Sequence, residues 1–175
     1  ETAIVLLGSA TVTGENYSVQ IRDVENLTMD AAGGYDTIHM WDSAGDDVLT
    51  ASPYEATLSG DTFNHSARGF ENVRVYAVGG GYDRAFLFDS SGNDDFTGKP
   101  EYAFLSGDGF YNFVRGFDQV RAYANSGGID NAYLFDSAGN DNFTGKPEYA
   151  FFSGDGFYNY AQGFDRVRAY AFAGG

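Results

Sequence analysis

The strongest constraint on the fold of this chain is an internal repeat of 47 residues. Gly34-Tyr35-Asp36 recurs as Gly81-Tyr82-Asp83 and again as Gly128-Ile129-Asp130. Residues 81–127 and 128–174 are identical at 35 of 47 positions. Tandem units this similar are expected to share one local structure and to stack against each other, so that neighbouring units bury a continuous core.

The repeat divides the chain into four parts. Residues 34–80, 81–127 and 128–175 are three repeat units. Residues 1–33 are interpreted as an N-terminal cap or a diverged partial repeat, because Glu25-Asn26-Leu27 matches Glu71-Asn72-Val73 with one residue fewer before the next Gly-Gly. We expect the array to continue beyond the chain.

Each unit has the pattern of short β-strands joined by tight turns. Residues 120–124 and 131–135 alternate small aliphatic residues with aromatic or charged ones, which is typical of half-buried strands. Residues 148–152 and 157–161 are aromatic-rich strands, and the segments between them are rich in Gly, Asp, Asn and Ser, which favour turns. No segment has a convincing helical period, so the predicted fold class is all-β.

Five strands per unit predict a parallel β-solenoid, of the β-helix or β-roll kind. We expect each unit to form two coils of about 23–24 residues and to advance about 9.6 Å, with equivalent side chains stacked in columns. The alternative is a propeller, since four-stranded blades have a similar length of about 40–50 residues. A propeller of this kind could close only with further units or partner chains.

Composition excludes several classes of protein. The formal net charge of −15 argues against a nucleic-acid-binding function, which needs a basic surface. The absence of Cys excludes disulfides and thiol chemistry. No run approaches the roughly 18 apolar residues of a membrane-spanning helix. A hydrophobic fraction of 43%, with 16 Phe and 13 Tyr, argues against disorder.

The most specific motif is Asp-Ser-x-Gly-(Asp/Asn)-Asp, at residues 42–47, 89–94 and 136–141. The stretch Gly139-Asn140-Asp141-Asn142-Phe143-Thr144-Gly145 resembles half of the calcium-binding nonapeptide of RTX (hemolysin-type) proteins, and residues 33–38 are similar in the same way. The resemblance covers about ten residues per unit on a different, longer repeat. It implies a β-roll in which turn carboxylates and Gly carbonyls of successive coils bind Ca²⁺.

This resemblance makes Ca²⁺ the candidate cofactor. The candidate ligands are Asp36, Asp42, Asp47, Asp83, Asp89, Asn93, Asp94, Asp130, Asp136, Asn140 and Asp141. Stacking would place Asp36, Asp83 and Asp130 in one column, where a divalent ion would relieve their repulsion. The alternative is that these side chains cap turns by accepting hydrogen bonds from backbone N–H groups.

Arginine and aromatic residues also recur at the repeat spacing. The candidate ligand or interface residues are Trp41, Arg74, Tyr76, Arg121, Tyr123, Arg168 and Tyr170. The arginines are expected to form an outer column that pairs with acidic residues and stacks on Tyr, or that binds an anionic polysaccharide. The aromatic residues could fill the core, mediate self-association or stack on sugar rings.

Catalysis by this segment is not expected. The two His residues, His39 and His65, are replaced by Phe, Tyr or Asn in the later units, and no nucleophile motif recurs. The sequence therefore predicts a non-catalytic structural or adhesive segment of a large extracellular or cell-surface protein. Such a segment would be a stalk or fibre subunit stabilised by calcium, with neighbouring repeats or other copies as partners. The alternative is a carbohydrate-binding module of a polysaccharide-degrading enzyme.

Overall fold

The computed structural model of the protein describes residues 1–174, which form nineteen β-strands and no helix. Accordingly, none of these residues belongs to a helix of the length and apolar character that crossing a bilayer would take. The strands are β1 (Thr2–Leu6), β2 (Gly8–Gly14), β3 (Tyr17–Val24), β4 (Asn26–Asp30), β5 (Thr37–Trp41), β6 (Val48–Ala51), β7 (Glu55–Gly60), β8 (Phe63–Arg68), β9 (Asn72–Tyr76), β10 (Arg84–Phe88), β11 (Asp95–Gly98), β12 (Tyr102–Gly107), β13 (Phe110–Arg115), β14 (Gln119–Tyr123), β15 (Asn131–Phe135), β16 (Asn142–Gly145), β17 (Tyr149–Gly154), β18 (Phe157–Gln162) and β19 (Arg166–Tyr170).

In the described part of the chain these strands form two sheets. Sheet 1 has ten strands in the order β19-β15-β11-β12-β13-β9-β5-β1-β2-β3. Sheet 2 has nine strands in the order β16-β17-β18-β14-β10-β6-β7-β8-β4. From residue 1 to residue 174 the chain passes between the sheets ten times, which makes about five turns. The prediction of an all-β solenoid is confirmed, and the propeller alternative is not needed.

Each unit uses its five strands in the same way. The first and last strands pair in parallel in one sheet, as β5 pairs with β9 in sheet 1. The middle three strands form an antiparallel meander in the other sheet, as β6, β7 and β8 do in sheet 2. The next unit reverses this division, with β10 and β14 in sheet 2 and the β11–β13 meander in sheet 1.

The alternation corrects the expected stacking of equivalent side chains in columns. Asp36 precedes a strand of sheet 1, Asp83 precedes a strand of sheet 2, and Asp130 precedes a strand of sheet 1 again. A unit passes between the sheets three times and so makes one and a half turns, not two coils. Each unit adds five strands, which are divided between the two sheets, so it lengthens the solenoid by 2.5 strand spacings on average. This corresponds to an advance of about 12 Å per unit, instead of the 9.6 Å expected for two coils.

Residues 1–33 supply four strands with the arrangement of the second to fifth strands of a unit. β1, β2 and β3 form an antiparallel meander in sheet 1. β4 lies in sheet 2 and pairs in parallel with β8. These strands therefore continue the alternation towards the N-terminal end of the solenoid.

The core lies between the sheets and contains the inward-facing half of each strand. Ala85 and Leu87 of β10 are fully buried, as are Ala132 and Leu134 of β15. Small residues at some inward-facing positions let the two sheets approach closely. At Gly98 of β11, an added Cβ atom would lie 2.9 Å from the Cβ of Asn159 on β18. Burial of the larger side chains supplies the main stabilisation, about 25 cal/mol per Å² of apolar surface.

Candidate functional site

The hexapeptide motif forms the crossing between the first and second strands of each unit. Residues 42–47 connect β5 to β6, residues 89–94 connect β10 to β11, and residues 136–141 connect β15 to β16. The motif thus marks the place where the chain leaves one sheet for the other. Its side chains lie at the lateral edge of the solenoid, where backbone N–H groups need partners that the sheets do not supply.

In the first crossing, the carboxylate of Asp47 stabilises the turn by accepting hydrogen bonds from Ser43. The backbone N–H of Ser43 donates to Oδ2 of Asp47 at 2.9 Å, and the Ser43 hydroxyl donates to the same carboxylate. The N–H of Gly45 donates to Oγ of Ser43 at 3.2 Å. Asp, Ser and Gly at this spacing therefore build a self-capped turn, and the same contacts recur in the other two crossings.

Other carboxylates join this crossing to the next one along the axis. Asp42 accepts the N–H of Gly79 at 2.9 Å, and Asp46 accepts the N–H of Tyr82 at 2.8 Å. The N–H of Asp47 donates to Oδ1 of Asp83 at 2.9 Å. The alternative in which Asp side chains accept backbone hydrogen bonds is therefore observed. The bonds from Tyr82 to Asp46 and from Asp47 to Asp83 connect consecutive units, whereas the bond from Gly79 to Asp42 lies within one unit.

This hydrogen bonding brings three carboxylates together. One oxygen from each of Asp42, Asp47 and Asp83 lies within 4.8 Å of the other two. Their exposed fractions are 8%, 0% and 3%. Among residues 1–174 the ion pair between side chains joins Arg68 and Glu55, so this acidic triad has no basic side chain bonded to it.

Burial raises the pKa values of two carboxylates of the triad. Desolvation is the main cause that raises the pKa of Asp83 to about 6; the hydrogen bond from the Asp47 N–H opposes this rise, and the nearby carboxylates of Asp42, Asp47 and Asp118 contribute to it. Burial also raises the pKa of Asp47, although its Ser43 hydrogen bonds oppose this. The triad is therefore a site where the negative charge is costly and a bound cation would be stabilising.

The next unit repeats the contacts of this site on the other side of the core. Asp89 accepts the N–H of Ser126, Asn93 accepts that of Ile129, and the N–H of Asp94 donates to Asp130. Burial again raises the pKa values of Asp94 and Asp130. Asn93 takes the place of Asp46, which shows that this position needs a hydrogen-bond acceptor and not a charge.

The remaining predicted ligands lie apart from these clusters. Asp136 accepts the N–H groups of Phe172 and Ala173, and Asp141 accepts that of Ser137. Asn140 is exposed on the third crossing. Asp36 lies near the N-terminus, where the amino group of Glu1 occupies the position that the Asp47 N–H has beside Asp83.

The outer face of sheet 1 is covered by aromatic rings. Trp41 stacks on Tyr76 with ring centroids 4.9 Å apart, and Phe135 stacks on Tyr170 at 4.8 Å. The guanidinium group of Arg74 lies 5.6 Å from the ring centroids of both Tyr111 and Phe113. Neighbouring strands thus cover one another's rings and leave them half-buried.

Sheet 2 has a similar outer face built from the next unit. Tyr123 stacks on Phe88 at 5.3 Å, and Arg121 lies over Tyr158 and Tyr160 at 5.8 and 5.6 Å. Arg168 returns to sheet 1, where it lies over Tyr133 at 5.8 Å. The expected single column of arginines is therefore wrong, because consecutive arginines lie on opposite faces. Their expected stacking on Tyr rings is confirmed.

Some buried polar residues of the core were not singled out by the sequence analysis. Asn112 is buried and donates to the carbonyl of Ser52 at 3.0 Å, and Asn159 donates to that of Lys99 at 2.9 Å. His65 holds the same inner position in the first unit, and within residues 1–174 its ring nitrogens have no hydrogen-bond partner. The sequence does contain a signal that could have identified them: a polar residue recurs at the same inward-facing strand position in each unit.

No family model matches this chain, and no curated protein or solved structure shows a significant similarity to it.

Proposed function

We propose that this chain is a non-catalytic structural segment, a stiff spacer or fibre element of a large extracellular or cell-surface protein. The main support for the proposal is that each unit joins the next through the same two strand pairings. The second strand of each unit pairs with the first strand of the next, as β6 pairs with β10 and β11 with β15. The last strand pairs with the fourth strand of the next unit, as β9 pairs with β13 and β14 with β18.

Each junction is therefore held in both sheets and at the edge. Two parallel strand pairs resist bending of the two faces, and the hydrogen bonds that join Tyr82 and Asp83 to residues 42–47 restrain the lateral edge. Units joined at three places around the cross-section should rotate little relative to each other. Such an array extends in one dimension, which suits a spacer or a fibre.

Small-angle scattering of lengthened chains tests this role. One or two further copies of residues 128–174 are inserted after residue 174, which continues the alternation between sheets. Each copy should increase the maximum dimension by about 12 Å and leave the radius of gyration of the cross-section unchanged. Growth of the cross-section, or copies that behave as separate flexible bodies, would refute the proposal.

Calcium binding at the acidic triad is the second part of the proposal. Three buried carboxylates without a basic partner match the preference of Ca²⁺ for oxygen ligands, and the raised pKa values of Asp47 and Asp83 indicate that their charge is poorly compensated. An ion bound only by the folded chain would stabilise it by mass action. We expect millimolar Ca²⁺ to raise the melting temperature above that in EDTA.

The chain offers a matched pair of variants for this test. Asp42→Asn removes a charge from the triad and should weaken the effect of Ca²⁺ on the melting temperature. Asp46→Asn is the control, because Asn93 occupies the same position in the next unit and keeps its hydrogen bond. An equal response of both variants and the parent chain to Ca²⁺, or no response of the parent, would refute the calcium site.

A second candidate function is carbohydrate binding on the aromatic outer faces. It is favoured by the paired rings of neighbouring strands, such as Phe88 and Tyr123, of which Phe88 remains 37% exposed. Sugar rings stack on platforms of this kind. Affinity electrophoresis through polysaccharide gels tests it: retardation that is lost in Tyr123→Ala but kept in Tyr82→Ala would support this function.

A further inference from the structure

The acidic side chains of the repeat units are unevenly distributed over the solenoid. Of those in residues 34–174, all but Glu55 and Asp95 lie outside the strands, in the crossings and hairpin turns at the lateral edges. The formal net charge of −15 is therefore concentrated along the edges of the molecule, and the outer faces between them carry few carboxylates.

Two regions of the outer faces carry no acidic side chain at all. Strip 1 consists of the outward-facing side chains of β5, β9, β13 and β12, which are consecutive strands of sheet 1. Strip 2 consists of those of β10, β14, β18 and β17 in sheet 2, the equivalent strands one repeat later. Strip 1 contains Arg74 and Arg115, strip 2 contains Arg84 and Arg121, and most of the other side chains are aromatic. Each strip is therefore a basic, aromatic surface on an acidic protein.

The central arginine of each strip is oriented by aromatic rings and not by a carboxylate. The guanidinium group of Arg74 lies 5.6 Å from two ring centroids of β13, and that of Arg121 lies 5.8 and 5.6 Å from two of β18. Nε of Arg74 donates to Asn72, and within residues 1–174 Nε of Arg121 has no hydrogen-bond partner. In the same part of the chain neither group pairs with any of the acidic side chains, although the sequence has 25 of them. Their positive charge is thus left uncompensated on the outer faces.

We propose that strips 1 and 2 bind the carboxylate groups of a uronic-acid polysaccharide. This inference rests on the carbohydrate-binding function proposed above and names its class of ligand. A guanidinium group matches a carboxylate in a bidentate arrangement, and the neighbouring aromatic rings offer a surface to the apolar faces of sugar rings. Asn72 in strip 1 and Gln119 at the equivalent position in strip 2 add amide groups that can bond sugar hydroxyls.

The charge of the edges restricts the kind of polyanion that fits. Arg74 and Arg121 are the middle residues of their strands. A strand of five residues is about 16 Å long, so these residues lie about 8 Å from each acidic edge. The Debye length at physiological ionic strength is also about 8 Å, so salt weakens the repulsion from the edges without abolishing it. A uronate chain, with one carboxylate per sugar, is repelled less than a highly sulfated glycan or a nucleic acid.

Isothermal titration calorimetry with a short oligogalacturonate tests the inference. The titration is done in EDTA, so that no divalent ion can bridge the sugar carboxylates to the acidic turns. Each chain should bind two oligosaccharides, one on each strip. The methyl-esterified oligosaccharide has the same sugar rings without the charge, and it should bind at least about tenfold more weakly.

Glutamine substitution of the central arginines assigns the sites. Arg121→Gln should abolish the tight site on strip 2 and Arg74→Gln that on strip 1, so that each variant binds one oligosaccharide and the double variant binds none tightly. Arg68→Gln is the matched control: it removes the same charge from the outer face of sheet 2, outside strip 2, where Arg68 pairs with Glu55. It should bind like the parent. All three side chains lie on the outer faces, so the variants should fold like the parent by circular dichroism.

Several results would overturn the inference. If both oligosaccharides bind equally, or if Arg74→Gln and Arg121→Gln bind like the parent, the rings alone bind the sugar and the carbohydrate-binding function stands without the charge contact. If neither oligosaccharide binds, the inference fails, and the gels of neutral polysaccharide decide separately whether that function stands. An equal loss in Arg68→Gln would show a general effect of charge. Oligomers of the parent alone that disappear in Arg121→Gln would identify the acidic edge of a second copy as the occupant instead.

Discussion

Protonation of Asp83 should make the protein more stable in mild acid than at neutral pH when divalent ions are absent. The carboxyl pKa in the folded state is about 6, against an ordinary value of 3.8. A folded-state pKa above the unfolded-state pKa means that the folded chain binds the proton more tightly. The resulting stabilisation is complete below about pH 4 and is lost as the pH rises through about 6.

The size of the effect follows from the shift. A difference of about two pKa units corresponds to about 3 kcal/mol of unfolding free energy from this carboxyl alone. Burial raises the pKa values of Asp47, Asp94 and Asp130 in the same direction, so they add to the slope. Urea denaturation in EDTA, followed by the fluorescence of Trp41 between about pH 4 and pH 7, measures it.

Two variants separate Asp83 from the general effect of acid. Asp83→Asn should keep the hydrogen bond from the Asp47 N–H, through its amide oxygen, and should lose the part of the slope between about pH 4 and pH 6 that Asp83 contributes. It should therefore be more stable than the parent at neutral pH in EDTA, and Ca²⁺ should stabilise it less. Asp61→Asn, at an exposed hairpin turn, is the control and should keep the parent slope. A parent whose stability rises with pH through this window, or an unchanged slope in Asp83→Asn, would refute the reasoning.

Three substitutions test packing and hydrogen bonding in the same denaturation assay. Phe96→Ala empties a fully buried site and should cost about 3–5 kcal/mol; a loss below about 1 kcal/mol would contradict the close contact of the sheets. Gly81→Ala should destabilise the chain more than Gly80→Ala, because both have positive φ but only the first would place a Cβ 2.3 Å from the carbonyl oxygen of Gly45. Equal losses would show that this approach is unimportant. Asn112→Ala leaves the buried carbonyl of Ser52 without its donor and should lower the unfolding free energy by about 1–3 kcal/mol. A smaller decrease would contradict this role of the hydrogen bond.

Much of the local structure could be predicted from the sequence. Residues 131–135 were expected to be a half-buried strand, and β15 has those bounds, with the alternating residues Ala132 and Leu134 buried. The prediction succeeded because alternation of small and large side chains is a local property of a half-buried strand. The hexapeptide was also located as a turn from its Gly, Ser and Asp content.

The candidate site was predicted less completely. Asp42, Asp47 and Asp83 were among the proposed ligands, but they were expected in columns of equivalent residues. The structure instead brings together two positions of one unit and one position of the next. Sequence spacing could not reveal this, because a triad assembled across a unit junction depends on how the crossings lie beside each other and not on the repeat period.

The sequence by itself determined the repeat, the five strands of each unit, their inner and outer faces and the acidic turns. Only the tertiary structure decided which turns are hairpins within a sheet and which are crossings between sheets. Both kinds use Gly and Asp, as Gly107-Asp108-Gly109 and residues 89–94 show, so their local chemistry does not distinguish them. Three crossings per unit is an odd number, and each unit therefore begins in the sheet opposite to its predecessor. That odd number of crossings places equivalent residues of consecutive units on opposite faces and brings the three carboxylates of the triad together at the junction.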